Sequence, residues 1–266
     1  MTKQILLTND DGIQSPGLWA AAEALASLGY VTVAAPRDQS SGMGRSLPNT
    51  SDGIIKPETL VVHNQPWTVY AVSGSPAQSV LHAILEIMPE KPDLVVSGIN
   101  YGENVGTGIT ISGTVGAALE GAAMGIPALA ISLETEQRYH LSYSREVDFS
   151  AAAHFTAFFG RILLEKNLPH DVHVLKVDVP WGATSQTTWE VTRVARHRYY
   201  EPLQPKRASW DIPGQVGYRE AAELENEPSD SDVAVLRKKR LVSVTPLSLD
   251  MTSRVDFREL DRLFRK

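Results

Sequence analysis

The chain has 266 residues, a formal net charge of −6, 42% hydrophobic residues and 21% charged residues, a composition that excludes a disordered or fibrous protein and allows one large domain or two small ones. Cysteine is absent, which excludes disulfides, thiolate catalysis and Cys-ligated metal centres and makes an oxidising compartment unnecessary. Because the chain is mildly acidic and its first apolar run is too short for a secretion signal, we expect a cytoplasmic protein that binds neither a DNA or RNA duplex nor a membrane.

The amino-terminal half alternates between short apolar runs and amphipathic runs. Residues 4–8 form an apolar run that ends in turn residues at 9–12, and Pro16 then opens a helix that Gly29 ends. The alternation continues with strands at 30–35, 93–97 and 128–133, helices at 76–88 and 113–124, and a hairpin of residues 59–62 and 67–72. This pattern predicts an α/β fold: a Rossmann-like, mostly parallel sheet with helices on both faces.

The pattern changes after a helix predicted at 149–166. Strands are predicted at 172–177, 190–194 and 241–244, a polar stretch with several prolines at 195–231, and a short amphipathic helix at 257–264. The basic run at 237–240 is interpreted as a solvated turn. We therefore predict a Rossmann-like core at residues 1–180 and a smaller α+β C-terminal extension at residues 181–266, which is not an independent domain and packs against another subunit.

Oxygen-bearing side chains follow three of the predicted strands. Asp10 and Asp11 follow the first strand, Ser41 lies in the loop after the second, and Asn100 follows the strand at 93–97. Ligands of parallel sheets bind outside the carboxyl ends of the strands, and an all-oxygen set suits Mg²⁺ or Mn²⁺ better than zinc. The alternative is a plain turn at 9–12, although a turn gains nothing from two adjacent, mutually repelling carboxylates. Both interpretations stay open at this point.

A glycine- and hydroxyl-rich segment at residues 106–114 runs directly into the predicted helix at 113–124. Free amides and the positive end of the helix dipole favour phosphate there. The alternative is that Ser112 only caps the helix. The chain has neither a dinucleotide fingerprint after its first strand nor a Gly-Lys-Ser/Thr loop for nucleoside triphosphates.

Six motifs, taken together and in this order, resemble one known family. They are ILLTNDDG at 5–12, AP at 35–36 with SG at 41–42, DLVVSGIN at 93–100, SGTV at 112–115, PALA at 127–130 and VSVTPL at 242–247. The chain resembles the SurE family of survival proteins, which are metal-dependent nucleoside monophosphate phosphatases. One departure is that Gln78 and Ser79 stand where the family usually has Asp-Cys.

The resemblance implies that one divalent cation, Mg²⁺ or Mn²⁺, is held by four residues: Asp10, Asp11, Ser41 and Asn100. It also implies a phosphate site near Ser112, Gly113 and Thr114. Asn9 and Asn104 are second-rank candidates for hydrogen bonds to phosphate, and a structural role in turns is the alternative for both. The C-terminal part would be exchanged or packed between the subunits of a homodimer or homotetramer.

The expected reaction is hydrolysis of nucleoside 5′-monophosphates, the 3′ position staying open, by water that a metal activates for in-line attack. Asp10 and Asp11 are the catalytic candidates: one ligates the cation, and the other orients or deprotonates the water. Neither Ser41, Ser112 nor Thr114 has a histidine beside it in sequence, so we expect no phosphoenzyme.

Three alternatives belong to other classes of protein. A receiver-type signalling module needs an acceptor aspartate where this chain has Asn100, and an aspartyl-nucleophile phosphatase needs an Asp-x-Asp motif that neither Asp10 nor Asp11 belongs to. A non-catalytic regulatory protein that binds metal and nucleotide stays open, and a phosphate-release assay separates it from an enzyme.

Overall fold

A computed structural model describes residues 2–62, 65–221 and 226–265. The strands in this part of the chain are β1 (Gln4–Thr8), β2 (Tyr30–Pro36), β3 (Ile55–Val62), β4 (Gln65–Val72), β5 (Leu94–Tyr101), β6 (Ala128–Leu133), β7 (Val174–Val179), β8 (Trp189–Val191), β9 (Tyr200–Leu203), β10 (Gly217–Glu220) and β11 (Val242–Leu247). The α-helices are α1 (Pro16–Leu25), α2 (Pro76–His82), α3 (Gly113–Ala123), α4 (Ser150–Glu165) and α5 (Phe257–Phe264).

Nine strands form one sheet in the order β3-β4-β2-β1-β5-β6-β7-β11-β8. The six strands from β4 to β7 are mutually parallel, whereas β3 and β11 run antiparallel to their neighbours β4 and β7. The predicted fold class is therefore confirmed. The chain leaves β1 toward β2 and returns to β5 on the other side, so β1 and β5 form the switch point where such sheets bind ligands.

Helices cover both faces of the sheet, as the alternating pattern predicts. Ile5 and Leu7 of β1 point into the core under α1 and α4, and Leu6 points into the core under α2 and α3. All three side chains are fully buried. Burial on both faces explains why these strands are continuous apolar runs in the sequence.

The C-terminal part contributes to the same sheet. β11 pairs with β7, and β8 forms the edge of the sheet beside β11. β9 and β10 form a separate antiparallel hairpin within the stretch that the sequence shows only as polar and rich in proline. Among the described residues, no helix has the length and apolar character to span a membrane.

The basic run at 237–240 is not a solvated turn, so that prediction is wrong. Arg237 and Arg240 each place a guanidinium nitrogen 2.7 Å from the buried carboxylate of Glu134. Glu134 follows β6, and a carboxylate buried there needs a charged partner. The run therefore ties the C-terminal part to the end of a central strand.

Candidate active site

The turn after β1 is closed by the side chain of Asn9. The carboxylates of Asp10 and Asp11 take no part in closing it. Asn9 Nδ2 donates to the carbonyl of Gly12 (3.0 Å), and the amide of Gly12 donates back to Asn9 Oδ1 (3.1 Å). Gly12 has a φ of +101°, which favours glycine. Because Asn9 alone closes this turn, the turn does not account for Asp10 and Asp11.

Asp10 lies against the first turn of α3. The Thr114 hydroxyl donates to Asp10 Oδ1, and the absence of a side chain at Gly113 lets the carboxylate approach the helix. Burial raises the pKa of Asp10, although the Thr114 hydroxyl and the amides of Thr114 and Gly113 oppose this shift. The positive end of α3 is therefore directed at Asp10.

Asp11 is held by groups from three other segments. The amide of Tyr101 donates to Oδ2 (3.2 Å), Gln39 Nε2 donates to Oδ1 (3.3 Å), and the Tyr143 hydroxyl donates to the main-chain carbonyl (2.9 Å). Burial, followed by the charge of Asp10, raises the pKa of Asp11 well above its usual range. The two adjacent carboxylates thus have different environments.

Ser41 and Asn100 lie at the same edge of the sheet as the acid pair, Ser41 in the loop after β2 and Asn100 at the end of strand β5. The amide of Ser40 donates to the Asp10 carbonyl (2.7 Å), which fixes the loop that carries the exposed Ser41. Asn100 donates its side-chain Nδ2 to the carbonyl of Gly102 (2.6 Å). Its Oδ1 is consequently the atom of Asn100 suited to ligate a cation.

These donors fit a divalent cation. Both carboxylates are buried, and in the described ranges no Lys, Arg or His forms an ion pair with Asp10 or Asp11. Two like charges side by side in the interior are costly without a counter-charge. An all-oxygen set of this kind is hard, as Mg²⁺ and Mn²⁺ require.

The remaining substrate candidates already have partners in the protein. The Ser112 hydroxyl accepts the amide of Val115 (3.2 Å) and caps α3, and Thr114 contacts Asp10. Asn104 donates its side-chain Nδ2 to Ser132 Oγ (2.9 Å). That these residues bind the substrate stays a prediction. Their positions at the same edge of the sheet as Asp10 and Asp11 are compatible with it.

Gln78, which replaces the usual aspartate of the family, caps a helix. Its Oε1 accepts the main-chain amide of Ser75 (2.9 Å), and the main-chain amide of Gln78 donates to Ser75 Oγ (3.1 Å). This reciprocal pair is known as a capping box. Its Nε2 donates to the carbonyl of Pro48 (2.9 Å). The departure thus stabilises the start of α2.

Sequence reasoning missed Gln39 and Tyr143. Gln39 links Asp11 to the segment after β6, because its Nε2 also donates to the carbonyl of His140 (2.8 Å). A usable signal existed for that segment: the strand predicted at 128–133 ends at the same edge of the parallel sheet as the other three. The loop after that strand could therefore have been expected to contact the candidate site.

A further buried acid, Glu103, lies in the loop that follows β5. Both of its oxygens are buried without a well-formed hydrogen bond in the part of the chain that the structure describes, and Arg237 Nη1 is 3.7 Å from Oε1. Burial, with a smaller contribution from the charge of Glu134, raises the pKa of Glu103 to about 7 from its usual 4.5. Ionised Glu103 therefore destabilises the fold.

We expect Glu103→Gln to raise the free energy of unfolding at about pH 8 by about 3 kcal/mol, since one pKa unit corresponds to about 1.4 kcal/mol. The stability that the protonated carboxyl contributes is complete below its usual pKa and is lost as the pH rises through about 7. Denaturant titrations of the wild type and the variant at about pH 4 and about pH 8 measure this difference. A stability difference that does not change with pH would contradict the assignment.

Three comparisons with known proteins agree. A family model described as survival protein SurE matches residues 5–201. The 5′-nucleotidase SurE of Thermococcus kodakarensis is 41% identical over 261 residues, covering 98% of each chain, and that of Methanocella arvoryzae is 38% identical, covering 100% of this chain and 99% of its own. The crystal structure of the SurE protein from Aquifex aeolicus superposes with a TM-score of 0.76 at 31% identity, covering 98% of this chain and 99% of that one.

Proposed function

Because the chain belongs to the SurE family of survival proteins, as its motifs predict, we propose that it is a metal-dependent 5′-nucleotidase that hydrolyses nucleoside 5′-monophosphates to nucleoside and phosphate. The observation that carries the proposal is the buried pair Asp10 and Asp11 at the switch point between β1 and β5. Nucleoside 3′-monophosphates are a second substrate to be compared.

We assign the cation to Asp10, Asp11, Ser41 and Asn100. A bound Mg²⁺ or Mn²⁺ supplies positive charge to a phosphoryl oxygen and lowers the pKa of water. Of the two carboxylates, one ligates, and the other orients the attacking water or accepts its proton. Their different hydrogen-bond partners support such a division of roles.

The hydroxyl groups near the acid pair are poor nucleophiles. The Thr114 side chain is fully buried and donates to Asp10, and the Ser112 hydroxyl caps α3. Ser41 is exposed, and in the described residues no general base is hydrogen-bonded to its hydroxyl. We therefore propose direct in-line displacement by water.

We expect phosphate release from AMP to require Mg²⁺ or Mn²⁺. Exhaustive treatment with EDTA followed by dialysis abolishes the release, and added Mg²⁺ or Mn²⁺ restores it, because no basic side chain of the described residues replaces the cation beside Asp10 and Asp11. A colorimetric phosphate assay on 5′-AMP and 3′-AMP measures both the metal requirement and the preferred position.

Two results would count against the proposal. Full activity in the chelated protein would remove the metal from the reaction. Nucleotide binding by calorimetry without any phosphate release would favour the regulatory, non-catalytic alternative.

We also propose a homodimer or homotetramer in the cytoplasm, with residues 181–266 at the subunit contact. Helix α5 supports this, because it buries none of its described residues and exposes Phe257, Leu263 and Phe264. Apolar side chains on such a helix favour a second protein surface over water. Sedimentation analysis measures the assembly.

A further inference from the structure

A fully buried lysine lies between two fully buried aspartates beside the loop that leads to α3. Lys176 and Asp178 belong to β7, and Asp232 precedes the helical turn at Ala234–Lys238. Lys176 Nζ forms an ion pair with Asp178 Oδ2 and lies 3.2 Å from Asp232 Oδ2. All three side chains have no exposed surface. We call these residues the lysine triad.

The lysine triad occupies a place where apolar side chains are usual. Lys176 and Asp178 are two residues apart on a strand and so point to the same face of the sheet. Val174, two residues earlier, belongs to the core under α2 and α3 on that face. Burying charged groups is costly even when they are paired. Their hydrogen bonds show what the triad holds in place.

The two carboxylates hold the loop between β5 and α3. Asp178 Oδ1 accepts the amide of Asn104 (2.7 Å), and Asp232 Oδ2 accepts the amide of Gly106 (3.1 Å). The other oxygen of Asp232 accepts two amides of the C-terminal part, those of Ala195 (2.9 Å) and Val233 (2.9 Å). The triad thus joins the C-terminal part to the loop that carries Asn104 and Gly106.

The charges of the triad depend on Lys176. With the ammonium present, one positive and two negative charges leave a net charge of −1, which four backbone amides partly offset. Without it, two carboxylates that contact the same Nζ would face each other at a net charge of −2. Like charges at this separation in the interior repel strongly, so Asp178 and the amide of Asn104 would be displaced.

We propose that Lys176 is a positioning residue for nucleotide binding. It acts through Asp178 and Asp232 to hold Asn104 and the start of the Gly106–Thr110 turn, and it touches no substrate itself. This inference rests on the proposed function, because Asn104 and the segment at 112–114 are the proposed substrate contacts.

The first test compares Lys176→Met with the double variant Lys176→Met/Asp178→Asn, each with Mn²⁺ present. We expect Lys176→Met to raise the KM for AMP by about 10- to 100-fold, the size of effect typical of a lost hydrogen bond to a charged group, with little change in kcat and in Mn²⁺ affinity. The double variant returns the triad to a net charge of −1 and keeps an acceptor for the Asn104 amide. Its KM therefore moves back toward the wild-type value.

The second test works even where Lys176→Met fails to fold. Asp178→Ala removes the acceptor of the Asn104 amide and leaves Lys176 paired with Asp232, so the net charge of the remaining buried pair is zero. We expect the same rise in KM. A uniformly loosened fold would instead lower kcat and the unfolding temperature without a selective change in KM.

The chain offers a matched control at the opposite edge of the sheet. Asp93 accepts both Lys3 Nζ (3.0 Å) and the amide of Gln4 (2.8 Å), so it joins a lysine to a backbone amide as Asp178 does. Because this pair lies at the amino ends of the strands, we expect Lys3→Met and Asp93→Ala to leave the KM unchanged.

Several results would overturn the inference. One is a wild-type KM for AMP in folded Asp178→Ala. Another is a loss of Mn²⁺ affinity that parallels the rise in KM. The third is a double variant whose KM is as high as that of Lys176→Met. A wild-type protein that releases no phosphate from any nucleotide would overturn the proposed function and this inference with it. An active wild type with unchanged KM in the variants overturns only the inference.

Discussion

We expect Asp11→Asn to lower kcat/KM for AMP by about 10²–10⁴-fold, the range typical of a lost acid–base group, and at the same time to stabilise the metal-free protein. The first effect follows because asparagine carries no charge to bind the cation or to take a proton from water. The second follows from the raised pKa of Asp11, since the ionised carboxylate is costly in the folded state at neutral pH. Initial rates and denaturant titrations in EDTA measure the two effects.

The matched control is Asp38→Asn. Asp38 lies in the same loop as Ser41, but its side chain is 76% exposed and pairs with the neighbouring Arg37. We expect its removal to leave both activity and stability nearly unchanged. If Asp38→Asn proved as damaging as Asp11→Asn, the assignment of the metal ligands would be wrong.

We expect Gly113→Ala to lower kcat/KM by about 10²-fold, because displacing a reacting group by about 1 Å has an effect of that size. A Cβ atom at Gly113 would lie 2.6 Å from Asp10 Cβ and 2.9 Å from Asp10 Oδ2, closer than such atoms approach. Alanine is otherwise favourable in a helix by about 1 kcal/mol. Any loss therefore comes from the altered candidate site and not from a weakened helix.

Gly108→Ala serves as the control for this substitution. It adds the same methyl group in the same glycine-rich segment, but nothing lies within 4 Å of the new Cβ. Steady-state kinetics of the two variants, with Mn²⁺ titrations, measure the difference. Equal activity of Gly113→Ala and the wild type would show that the contact between α3 and Asp10 does not position the site.

The placement of the candidate site at β1 and β5 could be predicted because it depends on chain order. The sequence shows where each strand ends, and a parallel sheet brings those ends to one edge. Asp10 and Asp11 therefore lie at the edge where they are expected. The role of Asn9 could not be decided in this way, because a turn residue and a phosphate ligand have the same local pattern.

Contacts between distant segments were beyond the reach of the sequence. Thr114 and Asp10 are 104 residues apart, and the distance between Gln39 and Asp11 depends on how two loops pack. Arg237 looks like a surface residue in a basic run, yet it contacts Glu134, 103 residues earlier. The hydrophobic periodicity of neighbouring residues does not show which distant segments contact each other.

By itself the sequence determined the alternation of strands and helices, the parallel sheet and the three strand ends that carry oxygen donors, because hydrophobic periodicity is a property of neighbouring residues. Only the tertiary structure decided which donors are free. It showed that Asn9 is used in its turn, that Thr114 is bonded to Asp10, and that Lys176 is buried with two aspartates. The physical reason is that hydrogen bonds and burial depend on which segments approach each other in space, and a strand residue such as Lys176 has the same sequence pattern whether it faces water or the core.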